Sequence, residues 1–160
     1  MNNPKGWAIA ILLLWLAGAS QQGVAFQVSA GGVGPDYPLV VVVCASLFAS
    51  RRNGSILGFL AGLIHGAIAG GHMAAYVVTR TLVGFVVGWF AGMEFEGNIA
   101  VGFIVTAAAT LTTQLTFLLL NPRGAIFASV LATIGSAMYN GVLAIPLYAL
   151  LKKVLDSPRR

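Results

Sequence analysis

Charge is the scarcest property of this chain. Asp, Glu, Lys and Arg make up 8% of its 160 residues, where a soluble domain carries about 25%. The four acidic residues, Asp36, Glu94, Glu96 and Asp156, all stand at the edges of apolar stretches. Paired-carboxylate catalysis therefore has no candidates, and a proton-coupled pump with an intramembrane carboxylate is disfavoured. Cys44 is the single cysteine, so no intrachain disulfide can form, and its apolar neighbours suit a small buried hydrophobe. His65 and His72 are seven residues apart with Gly70 and Gly71 between them, and no acidic or sulfur ligand lies at metal-binding spacing. His65 suits a hydrogen bond between helices, and His72 the outer surface. No Ser–His–acid arrangement, phosphate-cradling loop, linker or low-complexity segment is present.

What is abundant is apolar. Hydrophobic residues make up 58% of the chain, and the mean hydropathy is +0.89. One compact domain this small cannot bury so much apolar surface in water, whereas lipid solvates the excess. The net charge of +5 does not indicate nucleic acid, because no basic patch with interleaved aromatics exists. The basic residues sit at the ends of apolar runs, as membrane orientation requires.

About 20 residues of helix cross a bilayer core, and six candidate spans appear, at about 7–26, 35–48, 54–70, 73–93, 99–120 and 124–151. Lys5, the run Ala8–Leu16 and Ala17-Gly18-Ala19 also fit a cleavable signal, but the chain stays multi-spanning downstream, so a first helix is simpler. The second candidate is short, and its Val40–Val43 run has β character. A lone strand cannot cross lipid with unpaired backbone groups, so a helix is expected, with Pro35 in its first turn. Pro146 removes the bond to the carbonyl of Val142 and predicts a kink in the sixth. Arg51-Arg52-Asn53-Gly54, Gly70-Gly71-His72, Glu94–Asn98 and Asn121–Gly124 read as turns. With the N-terminus inside, Lys5, Arg51, Arg52, Lys152, Lys153, Arg159 and Arg160 all fall inside and only Arg123 outside, so both termini are expected in the cytoplasm.

Glycine supplies the clearest pattern. Gly54, Gly58, Gly62, Gly66 and Gly70 recur every four residues, and Gly84, Gly88 and Gly92 repeat the spacing. In water each would cost a helix about 1 kcal/mol relative to Ala. In lipid, small residues at this spacing let helices approach closely and gain dispersion contacts. These glycines are the expected packing or partner-docking residues.

Arg80 is the most unusual side chain. It lies about 10 Å along the fourth span, at about 1.5 Å per residue. Two readings stand: snorkelling to the outer interface beside Tyr76 and Thr79, or a contact inside the bundle with a partner or ligand. Asp36, at the outer edge, is the one candidate acid for it. Polar residues also recur along the last two spans: Gly102, Thr106, Thr110 and Gln114, then Ser129, Thr133, Ser136 and Asn140. They suit interhelical hydrogen bonds along a small-residue seam, or the lining of a polar pocket or conduction path. Gln21, Gln22 and Gln27 gather near the outer end of the first span, facing a cavity or the headgroups.

The order of these features resembles the rod shape-determining MreD family of bacteria. Gln21-Gln22 closes the first span, and Pro35-Asp36 opens the second ahead of Leu39–Val43. Gly58-Phe59-Leu60-Ala61-Gly62-Leu63 is similar to that family's G-F-x-x-G-L segment. Asn140-Gly141-Val142-Leu143-Ala144-Ile145-Pro146 is similar to its N-x-x-L-x-x-P segment, followed by the basic stop Lys152-Lys153. The resemblance covers nearly the whole chain. Where the family commonly carries Asp, four residues after the second glycine, this chain has Gly66 beside His65.

The resemblance implies a scaffold of the bacterial inner membrane without catalysis or cofactor. Its partners would be MreC and other members of the cell-wall elongation complex, besides membrane lipid. The rival expectation is the substrate-capture subunit of an energy-coupling-factor vitamin transporter. There Gln21, Gln27, Arg80 and Tyr76 would line a small-molecule pocket. A loop at 27–36 with few ligand-recognising side chains favours the scaffold.

Overall fold

The structure, a computed structural model, describes residues 4–29, 32–91, 98–120 and 126–155. It is all-helical among these residues: α1 Pro4–Gly23, α2 Ala25–Val28, α3 Tyr37–Ser46, α4 Arg51–Ala69, α5 Met73–Phe90, α6 Ile99–Leu120 and α7 Ile126–Leu155. α5, α6 and Phe127–Leu155 of α7 are long and apolar enough to cross a membrane. Large apolar side chains such as Trp15, Phe26, Leu119 and Phe127 stand on the outer surface. Lipid solvates such a surface at no cost, whereas water would drive it to aggregate. The protein is therefore a helical membrane protein.

α3 is the axis of the fold. It touches α1, α4, α5, α6 and α7, and its side chains from Pro38 to Ser46 are buried. With neighbours on every side it is apolar all round. Helix satisfies its backbone internally, which overrides the β preference of the four consecutive valines. Its ten residues span only about 15 Å at 1.5 Å per residue. The expected span at 35–48 is thus a half-helix, about half the thickness of a bilayer core. The non-helical residues 32–36 precede it and run alongside α7 in the same direction. Gly32 lies beside Ala132 and Val33 beside Gly135; farther on, the Cys44 thiol points to the carbonyl of Ala144.

The turn chemistry differs from expectation in two places. Pro38, not Pro35, takes the first turn of α3, and Asp36 caps it by accepting from the Leu39 N–H at 3.1 Å. Arg51–Gly54, expected as a turn, forms the first turn of α4. Ser50 caps that helix through the Asn53 N–H, and Arg51 lies over the Trp89 ring at 4.1 Å. A cap outweighs the loop-like look of two arginines because it supplies a partner to an otherwise orphaned donor. The Gly70-Gly71-His72 turn forms as expected. Gly70 ends α4 in the left-handed region at φ 65°, where glycine pays no Cβ penalty.

α4 and α5 form a hairpin whose backbones touch. A Cβ on Gly58 would overlap the carbonyl oxygen of Arg80; one on Gly62 would lie 2.5 Å from the Cα of Val77, and one on Gly66 2.9 Å from the Cα of Met73. Gly54 and Gly84 face each other, each overlapping the other's carbonyl oxygen, and Gly88 meets the Arg51 backbone. Gly70 meets nothing and serves the turn instead. Gly92, the turn at 94–98 up to Gly97, and the turn at 121–124 lie outside the described residues, as do the ends of the expected spans at 91–93 and 124–125 beyond Ala91 and before Ile126. α6 and α7 form the second hairpin, and α7 continues through Pro146 to Leu155.

Candidate functional site

Four elements converge on Asp36. The residue caps α3, α4 brings His65, α5 brings Arg80 and α7 brings Asn140. Arg80 Nη2 donates to Asp36 Oδ2 at 2.5 Å. The same nitrogen stands 2.9 Å from His65 Nδ1, which is itself 3.2 Å from Asp36 Oδ1. Arg80 is a donor in every state, so one proton decides the role of His65. With Nδ1 protonated it donates to Asp36; with Nδ1 bare it accepts from Arg80. The Asp36 N–H donates to Asn140 Oδ1 at 2.9 Å, and Asn140 Nδ2 donates to Thr110 Oγ1 at 3.2 Å.

The segment leading to Asp36 is held from both sides. Gln21 bridges it from α1: its Nε2 donates to the Pro35 carbonyl at 3.1 Å, and its Oε1 accepts from the Tyr37 N–H at 2.9 Å. On the α7 side, the Gly34 N–H donates to Ser136 Oγ at 3.2 Å. Irregular backbone inside a membrane protein survives only where such partners replace water. The polar residues of α1, α6 and α7 thus support an interrupted helix.

Arg80 is 1% exposed. Its reach to Asp36 selects the interior reading over snorkelling. The Tyr76 ring covers the guanidinium, its centroid 4.7 Å from Cζ, and stacks on His65 at 4.5 Å. Phe117 of α6 packs on Tyr76 at 5.0 Å and on His72 at 5.7 Å. Two nitrogens of Arg80 remain unused: Nε and Nη1 are buried without a hydrogen-bond partner. Ser46 and Thr113 likewise carry buried hydroxyls with no partner.

Of the residues singled out from the sequence, Arg80, Gln21 and Asn140 meet at this centre. Gln27 does not; it lies exposed on α2. Asp36 and His65 also belong to this centre. Their signals are the one acid inside a candidate span and a histidine inside a glycine-laddered helix. His72 is exposed at the α4–α5 turn. No group of three potential metal ligands occurs among the described residues.

Two hollows flank the centre. A polar cleft of about 230 Å³ opens between α6, α7 and Gly32, lined by Gln114, Phe117, Ser129, Thr133 and Ser136. An apolar groove of about 350 Å³ lies between α5 and α6, lined among others by Thr79, Leu82, Val86, Ile104 and Ala108.

Fold and site together define a helical membrane protein built around an interior ion-pair centre. No family model, no curated protein and no solved structure matches the chain.

Proposed function

We propose that this protein is a non-catalytic scaffold of the bacterial inner membrane. It resembles the MreD family and links cell-shape and cell-wall elongation proteins by helix docking within the membrane. In this reading six segments cross: α1, α3 with the segment before it, and α4 to α7, with both termini in the cytoplasm. α1 and α4, with 20 and 19 residues, are about 30 Å long at 1.5 Å per residue, which suits spanning.

The observation that carries the proposal is the use made of the interior polar side chains. Asp36, His65, Asn140 and Gln21 bind one another or the backbone, and so brace the half-helix α3. The α5–α6 groove meanwhile remains open toward lipid and suits an apolar partner helix such as that of MreC. The test is affinity capture from gently solubilised native membranes, with co-purifying proteins identified by mass spectrometry. Recovery of MreC and wall-synthesis proteins is the expected result.

A second reading has its own observation. The polar cleft beside Phe117 fits a substrate-capture subunit of an energy-coupling-factor transporter. Recovery of paired ATPases with a membrane coupling subunit in the same experiment would replace the scaffold by this reading.

A further inference from the structure

We propose that the polar cleft between α6, α7 and Gly32 is a binding site for a small oxyanion-bearing solute, with Arg80 as its anchoring cation. The cleft and the arginine are adjacent through two rings. Phe117 lines the cleft and packs on Tyr76, and Tyr76 covers Arg80. Nε and Nη1 of Arg80 carry buried N–H groups without acceptors. A buried donor left unpaired destabilises the fold, more so when it is charged. An oxygen acceptor that enters past the rings removes that cost. A charged oxygen, as in a carboxylate or phosphate, makes the stronger hydrogen bond to a guanidinium N–H.

The electrostatics favour an anion. Asp36 already accepts from Leu39, Arg80 and, in one tautomer, His65. It also sits at the N-terminus of the ten-residue α3, where the peptide dipoles add positive potential. One negative charge therefore faces the guanidinium and the helix terminus together. The cleft wall itself is uncharged: Gln114, Ser129, Thr133 and Ser136 offer amide and hydroxyl groups, and Phe117 offers a ring face. Such a wall recognises the uncharged body of a solute while Arg80 holds its charged end. The site is the same whichever assembly the chain joins.

The experiment uses the purified full chain carrying Cys44→Ala, so that the only thiol is the one introduced by Thr133→Cys. Two charged methanethiosulfonates are compared, sulfonatoethyl (anionic) and trimethylammonioethyl (cationic), each normalised to its rate with a free thiol. The normalised anionic rate is expected to be about 10-fold higher, since local potential raises counter-ion concentration by such factors. Phe117→Ala, which removes the outer of the two rings between the cleft and Arg80, is expected to widen the ratio, and sodium benzoate is expected to slow the anionic reagent where benzyl alcohol does not. Equal rates, a cationic preference, no modification by either reagent, or no protection by benzoate overturns the proposal. Ser129→Cys at the cleft wall repeats the measurement should Thr133→Cys fail to fold.

Discussion

The two hairpins solve the same packing problem differently. In α4–α5, glycines stand wherever the helices cross, and backbone meets backbone: Gly54 against Gly84, Gly58 against Arg80, Gly62 against Val77. In α6–α7, glycines meet side chains instead. Gly102 faces the Tyr148 ring and Gly141 the Phe103 ring, while Thr110 and Asn140 join by a hydrogen bond. The first hairpin leaves no space between its helices; the second leaves the polar cleft. Glycine against backbone makes a rigid wall, and glycine against a side chain leaves room that side-chain motion can change.

The largest effect should come from Gly58→Leu. No movement short of separating α4 from α5 accommodates it, because the obstacle is the Arg80 backbone. We expect a loss above about 4 kcal/mol, the range of severe core disruption, seen as failure to yield folded protein or a collapsed melting temperature in detergent. Gly62→Leu should behave alike, with loss of partner capture. Unchanged melting in both would refute the backbone-contact description of this hairpin.

Next comes Asp36→Ala, which strands Arg80 as an unpaired buried charge. Breaking one partner of such a pair costs about 3–5 kcal/mol. Adding Arg80→Leu should recover part of it, because an apolar pair needs no desolvation. Thermal unfolding of the two single variants and the double variant measures the coupling; additive losses would mean that the two residues do not act together.

Asn140→Ala removes the acceptor of the Asp36 N–H and the donor to Thr110. A loss of about 1–3 kcal/mol follows from the orphaned amide, and faster hydrogen exchange at residues 34–37 would locate it. The smallest effect is Gly141→Ala. Its Cβ meets only the edge of the Phe103 ring at 2.8 Å, and a ring that turns limits the cost to about 1 kcal/mol, the low end for overpacking. Gly58→Ala, against backbone, should cost much more. Equal melting shifts for these two alanine variants would erase the difference between the hairpins.

Much of the architecture is legible in order along the chain. The apolar runs that become α5, α6 and α7 announce themselves by length and composition, since lipid demands both. The Gly70-Gly71 reversal follows from local backbone freedom. Two arginines beside Asn53 and Gly54 look like a loop, and only the Ser50 cap shows otherwise. The valines of α3 suggest a span, but its length is settled by residues 32–36 finding hydrogen-bond partners on α1 and α7.

The site was only half legible. Arg80 stands out because a cation inside an apolar run is costly, and Asp36 was the one acid within the candidates. Whether the arginine reaches outward to the interface or inward to that acid depends on how α3, α4 and α5 are turned toward each other. Gln21 and Gln27 look equivalent along the chain, yet only Gln21 bridges the backbone before α3, because its helix passes beside that segment.

The sequence by itself determined the solvent, the helical character and the spacing at which backbones can touch, because these depend on composition and on period along one segment. The tertiary structure decided which glycine meets backbone and which meets a ring. It also decided that Asp36, His65 and Arg80 share one buried centre, and that Nε and Nη1 of Arg80 have no partner there. Those depend on the rotation and depth of helices far apart in the chain, and no local period encodes either.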